Sequence, residues 1–485
     1  MSGVPSAAAG DVPGASGYVS RGQWLWVGIA GVLVVAVGLA LGMPVLAGLV
    51  LVGAVALVAL RSLPAAMAIV LYVCTGLSYS LVLEYRLQSR GLLFDLSLPF
   101  SIMDACAVLM ALSLLVAWGT VRRRASLPRY LILPLWLYLG AVLIGVLYGI
   151  SQGNPRYALL KDLRVQAYFL LALFATAVFG GRREFMRLLV GVFVVSALSV
   201  SVLQFARMLG VENATTFEAV RDVSIPIYIA PIASAFLTLL WFSGKSRLST
   251  TIFVPLQAIY LLAVLLSFTR SVWVQLVITY VLVFLFLGLR ERRRALGMAL
   301  VILPLVLFGA PILGGSIASH RPISALVAER AISLAQGEED RSQASRLYES
   351  GAALSRWLAS PIFGAGMGME IDAFDAVSGR VIRTEFLHNS PLYYALKMGI
   401  IGFLAVGWLY VAAIKGAMRA RAAGGEVGLY ASGLVCSVTP MLLITMWSGG
   451  LNSVGTAPVL GVIVGLNWPA LTAEEAQAKR AEDAA

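Results

Sequence analysis

The sequence predicts an all-α protein, a polytopic membrane bundle of about 12–14 transmembrane helices with a large external loop that carries an amphipathic helix. Three observations predict it. Hydrophobic residues make up 60% of the 485-residue chain and charged residues only 12%, about half the charged share of an ordinary soluble domain. Apolar runs long enough to cross a bilayer recur from end to end. The basic surplus, finally, is distributed as a membrane topology requires.

Residues 1–22 are rich in Ala, Gly, Ser and Pro and read as a disordered cytoplasmic terminus. Arg21 precedes a first span with no small-residue cleavage site, so that span is expected to stay as an anchor. Over 23–313 the candidate spans are Trp24–Ala40, Pro44–Leu60, Pro64–Leu83, Leu98–Trp118, Leu131–Ile150, Val165–Gly180, Leu188–Met208, Ile225–Trp241, Ile252–Phe268, Val272–Leu289 and Leu296–Leu313. Pro391–Ile414, Leu429–Trp447 and Val459–Leu471 follow within 389–471, before a cytoplasmic tail over 472–485. Most connections are short, which suits antiparallel neighbours in one bundle.

The net charge is +12. With the N-terminus inside, the cytoplasmic segments collect 20 of the 36 basic residues, among them Arg122–Arg124, Arg290, Arg292–Arg294, Lys415, Arg419 and Arg421, against 8 of the 24 acids. The whole surplus therefore lies on one side and reads as positive-inside topology with both termini cytoplasmic. A nucleic-acid partner is not needed to explain it. Cys74, Cys106 and Cys436 fall in apolar spans and read as small hydrophobes. With no Cys-x-x-Cys or His-x-x-x-His spacing and no carboxylate cluster, no metal and no cofactor is expected.

One connection is long. Residues 314–388 form a polar segment of about 75 residues that the charge pattern places outside, where long loops carry function. Arg341–Ser360 sets Leu347, Leu354 and Leu358 at helical spacing, with Arg346, Glu349 and Arg356 elsewhere around the wheel. This predicts an amphipathic helix on the outer membrane face. Pro361 ends it, and Gly364, Gly366 and Gly368 follow. That run reads more readily as a flexible turn than as a phosphate cradle, since no lysine or helix start follows it.

The remaining external polar groups suggest chemistry. Only two histidines exist, His320 and His388, and His388 stands just ahead of the apolar run that begins near Ser390. It is a candidate proton carrier, with Asn389 and Ser390 better suited to cap the helix. Arg270 sits between two spans with almost no loop around it and requires a carboxylate or a phosphate partner. Arg221 ends a short external segment where Asp222 offers a plain salt bridge, and Arg156, Lys161 and Arg164 read as solvated or headgroup-facing. Lys397 falls about two turns into the helix that begins near Ser390, on the same face as Ser390 and Tyr394, facing either a wet interior or the surface by snorkelling. Planar cations, an imidazole and an amphipathic lid on one face suit a membrane-borne pyrophosphate, bound by arginine while the His activates an acceptor hydroxyl.

These residues resemble a known family. H-N-S-P-L-Y-Y-A-L-K-M-G-I-I-G over 388–402 resembles the His-Asn-x-x-Leu and Gly-x-x-Gly signature of the O-antigen ligase and O-antigen polymerase superfamily. F-T-R-S over 268–271 is similar to its Ser-Arg-Gly motif, and S-R-L-Y-E-S-G-A-A-L through P-I-F-G-A-G-M-G resembles its periplasmic helix and Pro-x-x-Gly-x-Gly turn. The order and spacing match over about Leu265 to Gly402. The resemblance implies a metal-independent, inverting glycosyltransferase that transfers or polymerises polyprenyl-pyrophosphate-linked glycan at the outer face of the inner membrane, onto a lipid or glycan acceptor. By the same resemblance His388 is the catalytic residue, Arg270 binds the pyrophosphate and Arg221 is a second family arginine. Lys397 and Arg346 are further candidate substrate contacts. Two departures stand out, Lys397 where many members have Glu and Thr269 in place of Ser. The alternatives are a lipid-linked glycan flippase or polysaccharide transporter, which about fourteen spans would also suit, and a non-catalytic scaffold. Transport requires midplane charges and usually repeated halves; Asp104 and Lys397 are the only deep charges and no repeat is visible.

Overall fold

A computed structural model describes residues 63–72, 127–209, 227–314, 341–375 and 380–484, apart from positions 180, 247, 447, 450 and 454–455, together with isolated residues at 104, 107, 108, 111 and 332. The expected disordered terminus, the first two spans, most of the next two, Arg221 and His320 lie outside the described residues.

In chain order the helices are α1 (Leu63–Tyr72), α2 (Arg129–Ser151), α3 (Arg156–Phe179), α4 (Arg183–Leu209), α5 (Ile229–Phe242), α6 (Thr250–Leu265), α7 (Arg270–Phe286), α8 (Leu289–Gly314) and α9 (Arg341–Ala359). A two-stranded antiparallel sheet follows, β1 (Ile371–Asp375) against β2 (Arg380–Thr384), with Ile371 opposite Thr384. The chain ends in α10 (Ser390–Ala423), α11 (Gly425–Ile444), α12 (Ala457–Gly465) and α13 (Trp468–Ala484). The fold is the expected all-α polytopic membrane bundle. Among the described residues α2, α4, α10 and α11 are long and apolar enough to cross a membrane, and α5, α6 and α7 are shorter apolar helices.

The bundle is apolar inside and out. Leu133, Trp136, Leu143 and Leu147 on α2 and Leu296, Leu300 and Leu303 on α8 are exposed, Trp136 by 68%. Faces of that size are stable only against hydrocarbon. Backbones approach closely where the sequence supplies glycine. A Cβ on Gly461 or Gly465 of α12 would stand 2.1 or 2.4 Å from the carbonyls of Phe169 and Leu173 on α3. This small-xxx-small stripe lets a fully buried nine-residue helix lie flush against its neighbour.

Two expected elements differ. The span Val459–Leu471 is two helices, because Asn467 stops the first and its Oδ1 accepts the Ala470 amide at 3.2 Å to start α13. Arg156, Lys161 and Arg164 lie in the first turns of α3 rather than in a loop. Lys161 pairs with Glu385 at 2.7 Å and Arg164 with Asp104 at 2.8 Å, so the helix begins nine residues before the apolar run.

The 341–388 segment folds back onto the bundle. α10 is broken at Gly399 (φ 67°, ψ −172°), where no hydrogen bond of the regular ladder can form. The turn after α9 fills the break: Ala365 N donates to Leu396 O at 2.6 Å, and Ile400 N donates to Pro361 O at 2.9 Å. A Cβ on Gly399 would lie 1.8 Å from Ile362 O. Irregular backbone at this depth is tolerated because protein groups satisfy it on both sides.

Candidate functional site

His388 stands at the mouth of α10. Asn389 is the N-cap, its Oδ1 accepting the Leu392 amide at 3.0 Å, with Pro391 in the first turn. The short sequence H-N-S-P therefore fixes where the helix starts and leaves the imidazole just outside it. The turn is held from behind by the chain after α11. Ser390 N donates to Thr445 O at 3.0 Å, Ser390 Oγ to Ser448 O at 3.1 Å and Asn452 Oδ1 at 2.9 Å, and Asn452 Nδ2 to Leu387 O at 2.9 Å.

The imidazole itself is 44% exposed, whereas the carboxylate beside it, Glu349, is 4% exposed. Glu349 Oε2 lies 2.8 Å from His388 Nδ1, and Oε1 accepts the His388 backbone amide. Phe386 meets the ring edge-on, with centroids 5.0 Å apart and planes at 89°. Gly449 makes room for Phe386: a Cβ there would sit 2.3 Å from its Cζ. Glu349 was not singled out in the sequence, where it reads as one polar residue on the wheel of α9. The helix forms as expected, but Leu347, Leu354 and Leu358 face outward while Glu349 and Ala353 point in. The only trace in the sequence is the i, i+4 pairing of a carboxylate with a small residue, which becomes legible once a partner is known.

Arg270 is the first residue of α7, half-buried, following Thr269 in extended conformation. The preceding Phe268 has φ 48° and a fully buried ring. A bulky side chain in the left-handed region is strained by roughly 1–3 kcal/mol and persists only where the surroundings over-determine it. They do so here: Gln204 Nε2 donates to Leu266 O at 2.8 Å, Trp273 Nε1 to Val264 O at 2.9 Å and Thr269 Oγ1 to Ser267 O at 3.0 Å. The F-T-R-S motif is thus a rigid presentation of Arg270.

The guanidinium of Arg421, near the C-terminus of α10, lies 4.0 Å over the ring of Phe286, the last residue of α7. By residue count α7 is about 25 Å long and α10 about 50 Å along its two arms, which meet at the Gly399 break. Arg270 is the first residue of α7, and His388 precedes the first turn of α10. Arg346 lies one turn before Glu349 on α9, half-buried.

Lys397 is elsewhere. It is fully buried, its Nζ 2.8 Å from Asp162 Oδ2 and donating to Met369 O. Asp162 in turn accepts Tyr393 Oη at 2.7 Å and Gly368 N at 2.7 Å. The expectation that Lys397 contacts substrate does not fit this placement, because its donors are directed into protein. The glycine turn is likewise internal. Gly364 N, Ala365 N, Met367 N and Gly368 N donate to Ser360 O, Leu396 O, Gly145 O and Asp162 Oδ2. Amides engaged in this way cannot cradle a phosphate, in keeping with the plain turn the sequence favours. Gly364, Gly366 and Gly368 all have φ between 74° and 85°, which explains why the run is glycine. Among the described residues no group of three or more His, Cys, Asp and Glu side chains gathers.

His388, half-exposed beside a buried carboxylate, and Arg270, on a strained turn at the start of α7, are the candidate site residues of this membrane bundle. Residues 255–407 match the family model described as O-antigen ligase, a stretch that contains Arg270, α9, the glycine turn, His388 and Lys397. In this segment the chain is similar to the O-antigen ligase family, which supports a ligase- or polymerase-like role in polysaccharide biosynthesis for a multi-pass membrane protein. No curated protein matches the chain.

Proposed function

We propose that this protein transfers or polymerises oligosaccharide carried on a polyprenyl pyrophosphate, at the outer face of the inner membrane, with no divalent metal. His388 takes the proton of an acceptor hydroxyl on a lipid or a glycan. The hydroxyl oxygen attacks the anomeric carbon as the bond to the pyrophosphate breaks, and Arg270 bears the charge that collects on the leaving phosphate. Arg346, a turn from the helix position that meets His388, and Arg221 complete the phosphate contacts. Lys397 acts instead by fastening α3, α10 and the glycine turn into one unit.

One observation carries this reading: the segment that matches the O-antigen ligase model contains both Arg270, on the strained turn that opens α7, and His388, at the mouth of α10 beside a buried carboxylate. A lone anchor arginine would not need the strained, buried Phe268 beneath it. The test is turnover of a lipid-linked oligosaccharide by purified protein in liposomes without any gradient. Release of polyprenyl pyrophosphate together with glycosylated acceptor supports transfer. Translocation of intact donor without release supports transport and overturns the proposal.

A further inference from the structure

We propose that Glu349 is the positioning residue that sets the tautomer of His388, holding the proton on Nδ1 so that Nε2 is the base; this deepens the reading of His388 given above. Both oxygens of one buried carboxylate are given to one residue. Oε1 accepts the His388 amide and Oε2 lies 2.8 Å from Nδ1. The ring is therefore fixed relative to its own backbone, and its rotation is stopped on another side by the Phe386 edge at 5.0 Å. An ionised carboxylate only accepts hydrogen bonds, so the ring nitrogen it meets carries the hydrogen. Nε2 is left with a lone pair, on a side chain that is 44% exposed.

The burial of Glu349 adds a second effect. When the acceptor O–H gives its proton to Nε2 and the freed oxygen bonds the anomeric carbon, the ring becomes a cation 2.8 Å from a fixed negative charge. That charge is already desolvated, so no solvent has to reorganise as the proton arrives. The imidazolium later returns its proton to the departing pyrophosphate or to water, and the cycle balances. The carboxylate comes from α9, 39 residues upstream, so a helix of the long external segment prepares the base.

The rival reading is that the pair merely fastens α9 to the bundle. The chain contains only two histidines, and His320→Gln leaves one, so ¹⁵N-histidine labelling of the protein in nanodiscs reports His388 alone. The coupling pattern of the ring nitrogens at neutral pH is expected to show the Nδ1–H tautomer in the otherwise unchanged chain and a shift towards Nε2–H in Glu349→Gln. Turnover of donor by Glu349→Gln should fall roughly 10²- to 10⁴-fold with KM for the donor within about two-fold, and Glu349→Asp should recover part of the loss. An Nε2–H tautomer with Glu349 in place, or a folded Glu349→Gln that turns over at full rate, overturns the assignment. The two readings also fail separately: a fully active His388→Ala would sink the base itself, whereas the tautomer measurement needs no turnover.

Discussion

Lys397 Nζ and Asp162 Oδ2 lie 2.8 Å apart in the fully buried centre of the bundle, and the same carboxylate accepts the Tyr393 hydroxyl and the Gly368 amide. This pair joins α3, α10 and the glycine turn at one point. Removing one partner leaves a buried charge uncompensated. Lys397→Met should therefore cost about 3–5 kcal/mol, read as a lower unfolding temperature of detergent-solubilised protein, while Lys397→Met with Asp162→Asn should recover most of it. Full stability of the single variant combined with a raised KM for donor would return Lys397 to the substrate.

Arg270→Lys keeps the charge and the position but loses the forked contact to two phosphate oxygens. Most of the activity should be lost while the variant still inserts and folds. Near wild-type turnover in liposomes would reduce Arg270 to an interfacial anchor.

Gly399→Ala should be among the most damaging single-methyl changes in the chain. The residue has φ 67°, and the new Cβ would fall 1.8 Å from Ile362 O. Strain and collision together should displace the turn from the break in α10. A loss of more than about 2 kcal/mol is expected from the conformational and packing terms, measured by denaturation of the solubilised variant. An unchanged melting point would mean that the break is not held by this contact.

Glu385 supplies a pH dependence. Burial pulls its carboxyl upward, but the hydrogen bond and charge of Lys161, helped by the more distant Lys397, outweigh it and hold the group below the ordinary carboxylate range. A depressed carboxylate contributes stability that is fully present above the unfolded value, near pH 4.3, and is lost as pH falls through the lower folded value. Acid should thus loosen the tie between α3 and the loop before His388, starting below about pH 4. Lys161→Met should abolish that part of the acid sensitivity, followed as the difference in unfolding temperature between pH 6 and pH 3.5.

For the chemistry, His388→Ala should lower turnover by roughly 10²- to 10⁴-fold, and EDTA should leave the wild-type rate unchanged. Strong inhibition by EDTA, reversed by Mg²⁺, would assign the phosphate charge to a metal instead of Arg270.

Where hydropathy is unbroken, the sequence shows the fold directly: the expected Leu131–Ile150 is α2, Arg129–Ser151. It misleads where a charge is neutralised from a distance. The turns of α3 that carry Arg156, Lys161 and Arg164 read as a loop because Glu385, which pairs with Lys161, lies 224 residues on. It misleads again at Val459–Leu471, where apolar residues continue through the Asn467 stop. The β1–β2 hairpin was not foreseen, since its strands are five residues each and sit within a polar segment. His388 and Arg270 are legible because a titratable ring or a guanidinium beside a membrane span is rare enough to notice. Glu349 is not, because its burial depends on a partner 39 residues away.

The nine residues of α12 bear on how this chain is made. At about 14 Å the helix is half the thickness of the hydrocarbon layer, too short for an insertion machine that selects segments by length and apolarity. All nine residues are buried, and Gly461 and Gly465 touch the carbonyls of α3. Their contact surface therefore exists only after α3 has been synthesised and seated, some 280 residues earlier. The C-terminal region must accordingly close as a latch, entering a prepared slot late in biogenesis. Chains truncated before Ala457 should be delivered to the membrane yet be degraded there as unfinished bundles.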